Sequence, residues 1–438
     1  MIRRIRIKGY KSLQDLEVRL QPLCVLFGPN AAGKSNFLDA LQLLSGIART
    51  RSIKEAFAPP YRGLPLESFA FGPEGMSELV RRNTASFSIE VDLELSDSIV
   101  QLVDRQVREM KQGKEVESGS DGGDISSSSF VRERCLRYRI EIEVLPQSGI
   151  LRVADEYLTA LNQAGEPSGK RKPFLERIKD RLHLRMEGQA HPTYLELLLD
   201  HSVLSRPLYP PHYPHLVAVR HELASWLFFY FEPRERMRAP NPVKEVRHIG
   251  VMGEDLAAFL NTLRAIDPKQ FVAIEKSIRM IIPSVTGIDV EVNNLGEVEL
   301  RLKEGGTPVP ARVVSEGTLR VLGLLALVGA KDRPALLGFE EPENGIHPRR
   351  IQAVAELLRT YAEAGKTQLI VTTHSPILPD LLPDQSLYVC RKSQGQTDIT
   401  PFASWGELAR ASEIGRALDA EEGTTPVSQR ILRGDFDA

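Results

Sequence analysis

Alternation of apolar and polar positions predicts strands over residues 5–7, 16–20, 86–95, 137–145 and 151–161. Phe87, Ile89, Val91, Leu93 and Leu95 then share one face, and the last three segments read as an antiparallel sheet flanking a core. The apolar run 23–27 reads with 5–7 and 16–20 as a small sheet at the start of the chain. Unbroken runs at 335–339 and 368–372 instead suit strands buried on both faces, as in a parallel sheet. Helical spacing marks residues 37–44, 173–186, 194–199, 254–263, 270–282 and 318–328. A hairpin over 288–292 and 298–302 surrounds Asn293, Asn294, Leu295 and Gly296. Residues 51–77, 209–215 and 233–242 read as irregular connections. Residues 111–129, with their run of Ser, Gly and Asp, bury too little apolar surface to order and read as a flexible loop. No internal repeat or sustained heptad emerges.

The 438 residues suffice for a large core. The 56 Lys and Arg nearly cancel 58 Asp and Glu, so no global field recruits nucleic acid or an acidic membrane. Any DNA contact must come from a local patch, such as Arg3, Arg4 and Arg6 or Arg234, Arg236 and Arg238. Cys24, Cys135 and Cys390 have no metal-ligand spacing and read as buried reduced thiols. His212 and His215 lack a partner set and read as residues of a surface loop. The N-terminal alternation is not that of a signal peptide, and no stretch approaches a membrane span. A cytoplasmic protein without a membrane partner is expected.

The candidate chemistry lies in four separated segments. Gly28, Pro29, Asn30, Ala31, Ala32, Gly33, Lys34 and Ser35 sit between an apolar run and a helical one, the strand, loop and helix context of a phosphate cradle. Inward backbone N–H groups bind phosphate there, Lys34 reaches the β- and γ-phosphates, and the Ser35 hydroxyl ligates Mg²⁺. Glu340 and Glu341 leave the edge of a buried strand: one carboxylate orients Mg²⁺ and the other positions the attacking water. His374 closes the run at 368–372 and is placed to bond a γ-phosphate or that water. Ser315, Glu316 and Gly317 open a helix as an N-cap and first turn, a second anion site. One nucleotide needs one cradle, so the second makes sense as a cap on a partner subunit's nucleotide.

In this order the segments resemble the ABC-type ATPases of the RecF, SMC and OLD (overcoming lysogenization defect) group, the AAA-family ATPases of bacterial defence and repair loci. Residues 28–35 resemble Walker A, residues 315–317 the signature, residues 336–341 Walker B with the catalytic glutamate, and His374 the switch histidine. The resemblance implies an α/β P-loop fold with a central, mostly parallel sheet, an antiparallel β subdomain and a helical insertion. It implies that Glu341, His374 and Lys34 are catalytic, and that Ser35 and Glu340 hold Mg²⁺. ATP would lie against residues 28–35, Asn36, Lys11, Ser12 and a partner's Ser315, Glu316 and Gly317. Glu340 replaces the usual Walker B aspartate. The long arms of SMC proteins and the C-terminal nuclease of OLD proteins are not expected.

The expected division is an N-terminal ATPase lobe (1–100), an insertion (101–245), a C-terminal ATPase lobe (246–404) and a helical tail (405–438). The expected function is a Mg²⁺-dependent ATPase forming a head-to-tail homodimer, or an oligomer of dimers. Its implied role is a sensor or regulatory subunit of an antiphage system that controls a separate effector such as a nuclease. The alternative is a RecF-like repair ATPase that binds duplex DNA; a third is a transporter ATPase without its membrane subunit, against which the N-terminal strand and the Glu340 to Asn344 run speak.

Overall fold

In the computed structural model, residues 1–118, 129–169, 171–189, 191–330, 333–405 and 426–436 are described, without the side chains of 113–118. The chain divides into two compact units. The first comprises Met1–Leu20, Asn36–Trp226 and Lys392–Ile399; the second comprises Gln21–Ser35, Leu227–Arg391 and Thr400–Ala438.

The first unit is built on an eight-stranded sheet in the order Leu13–Arg19, Ile2–Tyr10, Ala85–Glu94, Cys135–Leu145, Ile150–Ala160, Leu175–Ile178, Arg181–Leu184 and Thr193–Glu196. Every neighbouring pair is antiparallel. The alternation seen in the sequence sets the register: Phe87 faces Ile142, Ile89 faces Ile140, Val91 faces Tyr138 and Leu93 faces Leu136, all buried. The opposite face carries ion pairs. Arg4 bonds Asp92 at 2.8 Å and also Glu90, and Arg137 reaches Asp92 at 2.6 Å.

Several expectations are corrected in this unit. Residues 173–186 and 194–199 are not helical but contain three short strands. Leu175, Ile178 and Leu182 mimic a helical stripe, yet the chain reverses at Lys179, whose φ is +57°. Residues 111–118 are the end of the helix Asp97–Ser118, anchored by buried Val100, Val103 and Val107; the rest of the expected loop, up to residue 128, lies outside the described residues. His215 is no surface residue. It lies fully buried in the helix Pro214–Ala224, stacked on Phe174, with Nδ1 2.7 Å from Glu187. Cys135 is half-buried, whereas Cys24 and Cys390 are buried.

The second unit centres on five strands of a six-stranded sheet, in the order Leu227–Phe229, Leu336–Glu340, Gln368–Thr372, Leu23–Phe27 and Leu387–Ser393, with Gln396–Pro401 sixth. The first five strands run parallel. Residues 23–27 therefore belong to this sheet rather than with the first two strands of the chain. All five are buried, as a strand covered on both faces requires. The helices Leu256–Ile266, Pro268–Ile281, Glu316–Val328 and Pro348–Glu363 contribute to a single apolar cluster with this sheet. The hairpin Val285–Val292 with Glu297–Glu304 forms around residues 293–296 as expected. The longest helix among the described residues has 22 residues, so no long coiled-coil arm is present among them. Most of the expected helical tail, residues 406–425, lies outside the described residues.

Candidate functional site

Three parallel strands of the second unit end level with one another. Glu340 pairs with Thr372, and Thr372 with Leu26, so their C-terminal ends form one edge where the following turns converge. Gly28 leaves this edge at φ +144°, and a Cβ there would sit 2.0 Å from the Cys390 carbonyl oxygen of the neighbouring strand. Only glycine lets the loop start so close to the sheet. Ala31 also has positive φ, at +62°, a conformation that L residues rarely adopt and that turns successive N–H groups inward.

Lys34 opens the helix Lys34–Arg49 and is buried. Its ammonium donates to the carbonyl oxygens of Gly28 at 2.7 Å and Pro29 at 2.9 Å, folding back over its own loop. Burial pushes its pKa down to about 8, while Cys390 and Glu341 oppose the shift. The third partner of Lys34 is His374 Nδ1 at 3.2 Å. The other ring nitrogen, Nε2, stands 3.2 Å from Glu341 Oε1. Burial and the Lys34 charge hold the His374 pKa below the usual histidine range. A neutral ring accepts from Lys34 at Nδ1 and turns Nε2 toward the Glu341 carboxylate.

Glu341 follows its strand at φ +48° and donates its backbone N–H to Thr372 at 2.9 Å. That turn swings its carboxylate toward the histidine, and Asn344 Nδ2 steadies the other oxygen at 3.2 Å. Glu340 ends the strand, and Ser35 lies in the first turn of the phosphate-loop helix. A hydroxyl and a carboxylate are hard oxygen donors and suit Mg²⁺. No group of three or more His, Cys, Asp and Glu side chains that could hold a metal occurs among the described residues, so nucleotide and water oxygens would complete the shell. The buried ammonium beside a backbone cradle fits a polyphosphate.

Ser315 is exposed and caps the helix Glu316–Val328, accepting from the Thr318 N–H at 3.2 Å. Glu316 is held by Arg234 at 2.7 Å, a pairing that keeps its carboxyl below the usual range, and Arg238 bonds the Val314 carbonyl at 2.7 Å. Two of the arginines read as a contact patch thus brace the approach to this helix. A Cβ on Gly317 would lie 2.3 Å from the Gly345 carbonyl oxygen, so the helix start packs directly on the turn after Glu341.

The family described as "AAA domain, putative AbiEii toxin, Type IV TA system" matches residues 23–380. The chain belongs to that family. Its fold is that of the ABC-type ATPases of the RecF, SMC and OLD group. The OLD nuclease of Thermus scotoductus (strain ATCC 700910 / SA-01) is 39% identical over 46 residues, which span 10% of this chain and only 9% of that protein. The crystal structure of an SMC head bound to the C-winged helix domain of ScpA shares the fold, with a TM-score of 0.50 at 12% identity over 91% of this chain and 97% of that one. The SMC head domain from Thermotoga maritima aligns at a TM-score of 0.40 and 13% identity, over 91% and 98% of the two chains.

The remaining expected site residues of this AAA domain lie in the first unit. Lys11, at φ +46°, bonds Asp39 at 2.8 Å, which Arg62 also holds at 2.7 Å. Asn36 donates to the Ser12 hydroxyl at 2.7 Å, and Ser12 contacts Thr397 at 2.7 Å. Thr373, Glu343 and Arg320 are site neighbours that the sequence reading passed over. The offset of Glu343 from Glu341 was the available signal. No helix among the described residues is long and apolar enough to cross a membrane.

Proposed function

We propose that this AAA domain hydrolyses ATP with Mg²⁺ and dimerises around the nucleotide to regulate a separate effector of a prokaryotic antiphage system. The observation that carries the catalytic part is the continuous chain Lys34, His374, Glu341, with 3.2 Å at each step. ATP entering the cradle would draw the Lys34 ammonium from the Gly28 and Pro29 carbonyls onto the β- and γ-phosphates. His374, freed at Nδ1, is then placed to accept a hydrogen bond from the attacking water, which Glu341 helps to position. Ser35 and Glu340 would hold the metal, which supplies charge neutralisation for the phosphates when bound.

The exposed cap at Ser315 supports the dimer: the N-terminus of a helix that opens at an exposed serine is suited to a partner's γ-phosphate. The defence role rests on the names of the relatives, a putative toxin of a type IV system and an OLD nuclease. A RecF-like clamp on duplex DNA is less well supported. The arginines of the first unit border a groove of about 800 Å³, yet Arg4 and Arg137 are already bound to Asp92 and Glu90, and Arg3 bonds Glu94 at 2.7 Å.

Phosphate release by the parent, Lys34→Ala and Glu341→Gln tests the reading. Lys34→Ala should lose binding or hydrolysis, whereas Glu341→Gln should bind ATP and hydrolyse it slowly. Unchanged turnover in a folded Lys34→Ala protein would overturn the assignment.

A further inference from the structure

Behind the chain of Lys34, His374 and Glu341 lies a second carboxylate that the mechanism does not use. Glu343 is only 6% exposed. Its Oε1 accepts a hydrogen bond from the Thr373 hydroxyl, the residue immediately before His374. The same hydroxyl oxygen accepts from the Ser375 N–H at 2.9 Å, the residue immediately after His374. The Thr373 N–H is tied in turn to the Leu26 carbonyl at 3.0 Å, on the strand that feeds the phosphate loop. His374 therefore stands on a short bridge whose two flanking residues are gripped through one carboxylate.

The grip is not what packing alone would select. Oε2 of Glu343 is buried without a hydrogen-bond partner, and an unsatisfied buried carboxylate oxygen is costly. A buried apolar side chain would avoid this cost. Burial pushes the Glu343 carboxyl above the usual range, and the neighbouring Glu341 acts in the same direction. Arg320, from the helix behind Ser315, has an Nε likewise buried without a partner; burial lowers its pKa, opposed by Glu316, Glu341 and Glu343.

We propose that Glu343 is a positioning residue for ATP hydrolysis, clamping the Thr373–Ser375 bridge so that His374 stays between Lys34 and Glu341. The inference rests on the ATPase reading above. It concerns turnover rather than nucleotide capture, because Lys34 is held by the Gly28 and Pro29 carbonyls whereas Glu343 and Thr373 bond the residues that flank His374.

The test is a double-mutant cycle of Glu343→Ala and Thr373→Val in the full chain, read by steady-state phosphate release and by binding of a fluorescent ATP analogue. Each single variant should lower kcat by about tenfold or more with KM and analogue affinity within about threefold of the parent, and the double variant should be no slower than the slower single one. Thr373→Val is isosteric, so it decides the matter alone if Glu343→Ala does not fold. Parental kcat in Thr373→Val overturns the proposal, as do losses that multiply in the double variant or a loss confined to KM. Lys34→Ala separates the two readings. If the parent releases no more phosphate than Lys34→Ala, the ATPase reading fails and the clamp falls with it; if the parent is active and the clamp variants match it, only the clamp fails.

Discussion

Lys34 Nζ and His374 Nδ1 lie 3.2 Å apart, so the free lone pair of the imidazole is occupied by the ammonium proposed to bind the phosphates. Nucleotide binding therefore has a protonation signature. Burial lowers the Lys34 pKa to about 8 in the free protein, so its charge is present below that pH and lost as pH rises through it. Phosphate beside the ammonium raises the pKa in the complex. ATP affinity should weaken as pH rises above about 8, with proton uptake on binding in the same range. Calorimetric titrations in buffers of different ionisation enthalpy check this, and Lys34→Ala should show no uptake.

His374 titrates on the other side of neutrality. Because burial and Lys34 hold its pKa below the ordinary value of about 6.5, the ring stays neutral as pH falls to that value and protonates only lower. Hydrolysis by the parent should persist at pH 6.5 and fail on further acidification. The linked effect on folding has the same sign: the unfolded chain takes up the proton first, so stability declines as pH drops below about 6.5. His374→Gln should lower turnover and remove this contribution to the acid loss of stability, as thermal melts over pH would report.

Two glycines make opposite demands on function. At Gly28 an added methyl meets the Cys390 carbonyl at 2.0 Å and φ is +144°, so Gly28→Ala must displace the loop and should abolish ATP binding. At Gly317 the obstacle is the Gly345 carbonyl at 2.3 Å, in the turn that follows Glu341. Gly317→Ala should cost about 1–3 kcal/mol of stability through overpacking while leaving analogue binding to the cradle near the parental value. Melting curves and binding isotherms separate the two outcomes.

The parallel sheet was legible because its strands announce themselves chemically. Residues 336–340 and 368–372 are apolar runs that end in Glu340 and at the doorstep of His374, and a phosphate loop has few alternative settings. Residues 23–27 were equally apolar, but sequence proximity drew them to the wrong sheet; only long-range pairing with 368–372 shows where they belong. The first unit hid its small strands because four-residue segments such as Arg181–Leu184 are too short to establish a period, and the reversal at Lys179 carries no glycine to mark it. His215 misled for a different reason: its proline-rich surroundings suggest surface, while Glu187 and Phe174, which bury it, lie far away in sequence. Glu343 was unreadable as a clamp because its partner, Thr373, comes 30 residues later.

The assembly makes the sharpest prediction. Ser315 caps its own helix and faces outward, so Ser315→Arg loses a cap worth about 1 kcal/mol and places a bulky cation where a partner's phosphate would approach, leaving Lys34 and its loop intact. Analogue binding should survive, while ATP-dependent dimerisation and hydrolysis fail. Because that variant keeps its cradle and Lys34→Ala keeps its cap, a mixed dimer contains one composite site with both parts intact. Mixing the two inactive proteins should therefore restore activity, peaking near equal proportions. Phosphate release against mixing ratio, with subunit exchange verified by native mass spectrometry, measures it. A Ser315→Arg protein as active as the parent rules the shared site out. Two parents that stay inactive in a verified mixed dimer rule out a site that fires on its own, whereas recovery that follows the fraction of mixed dimers requires that ATP be cleaved between Lys34 of one subunit and Ser315 of the other.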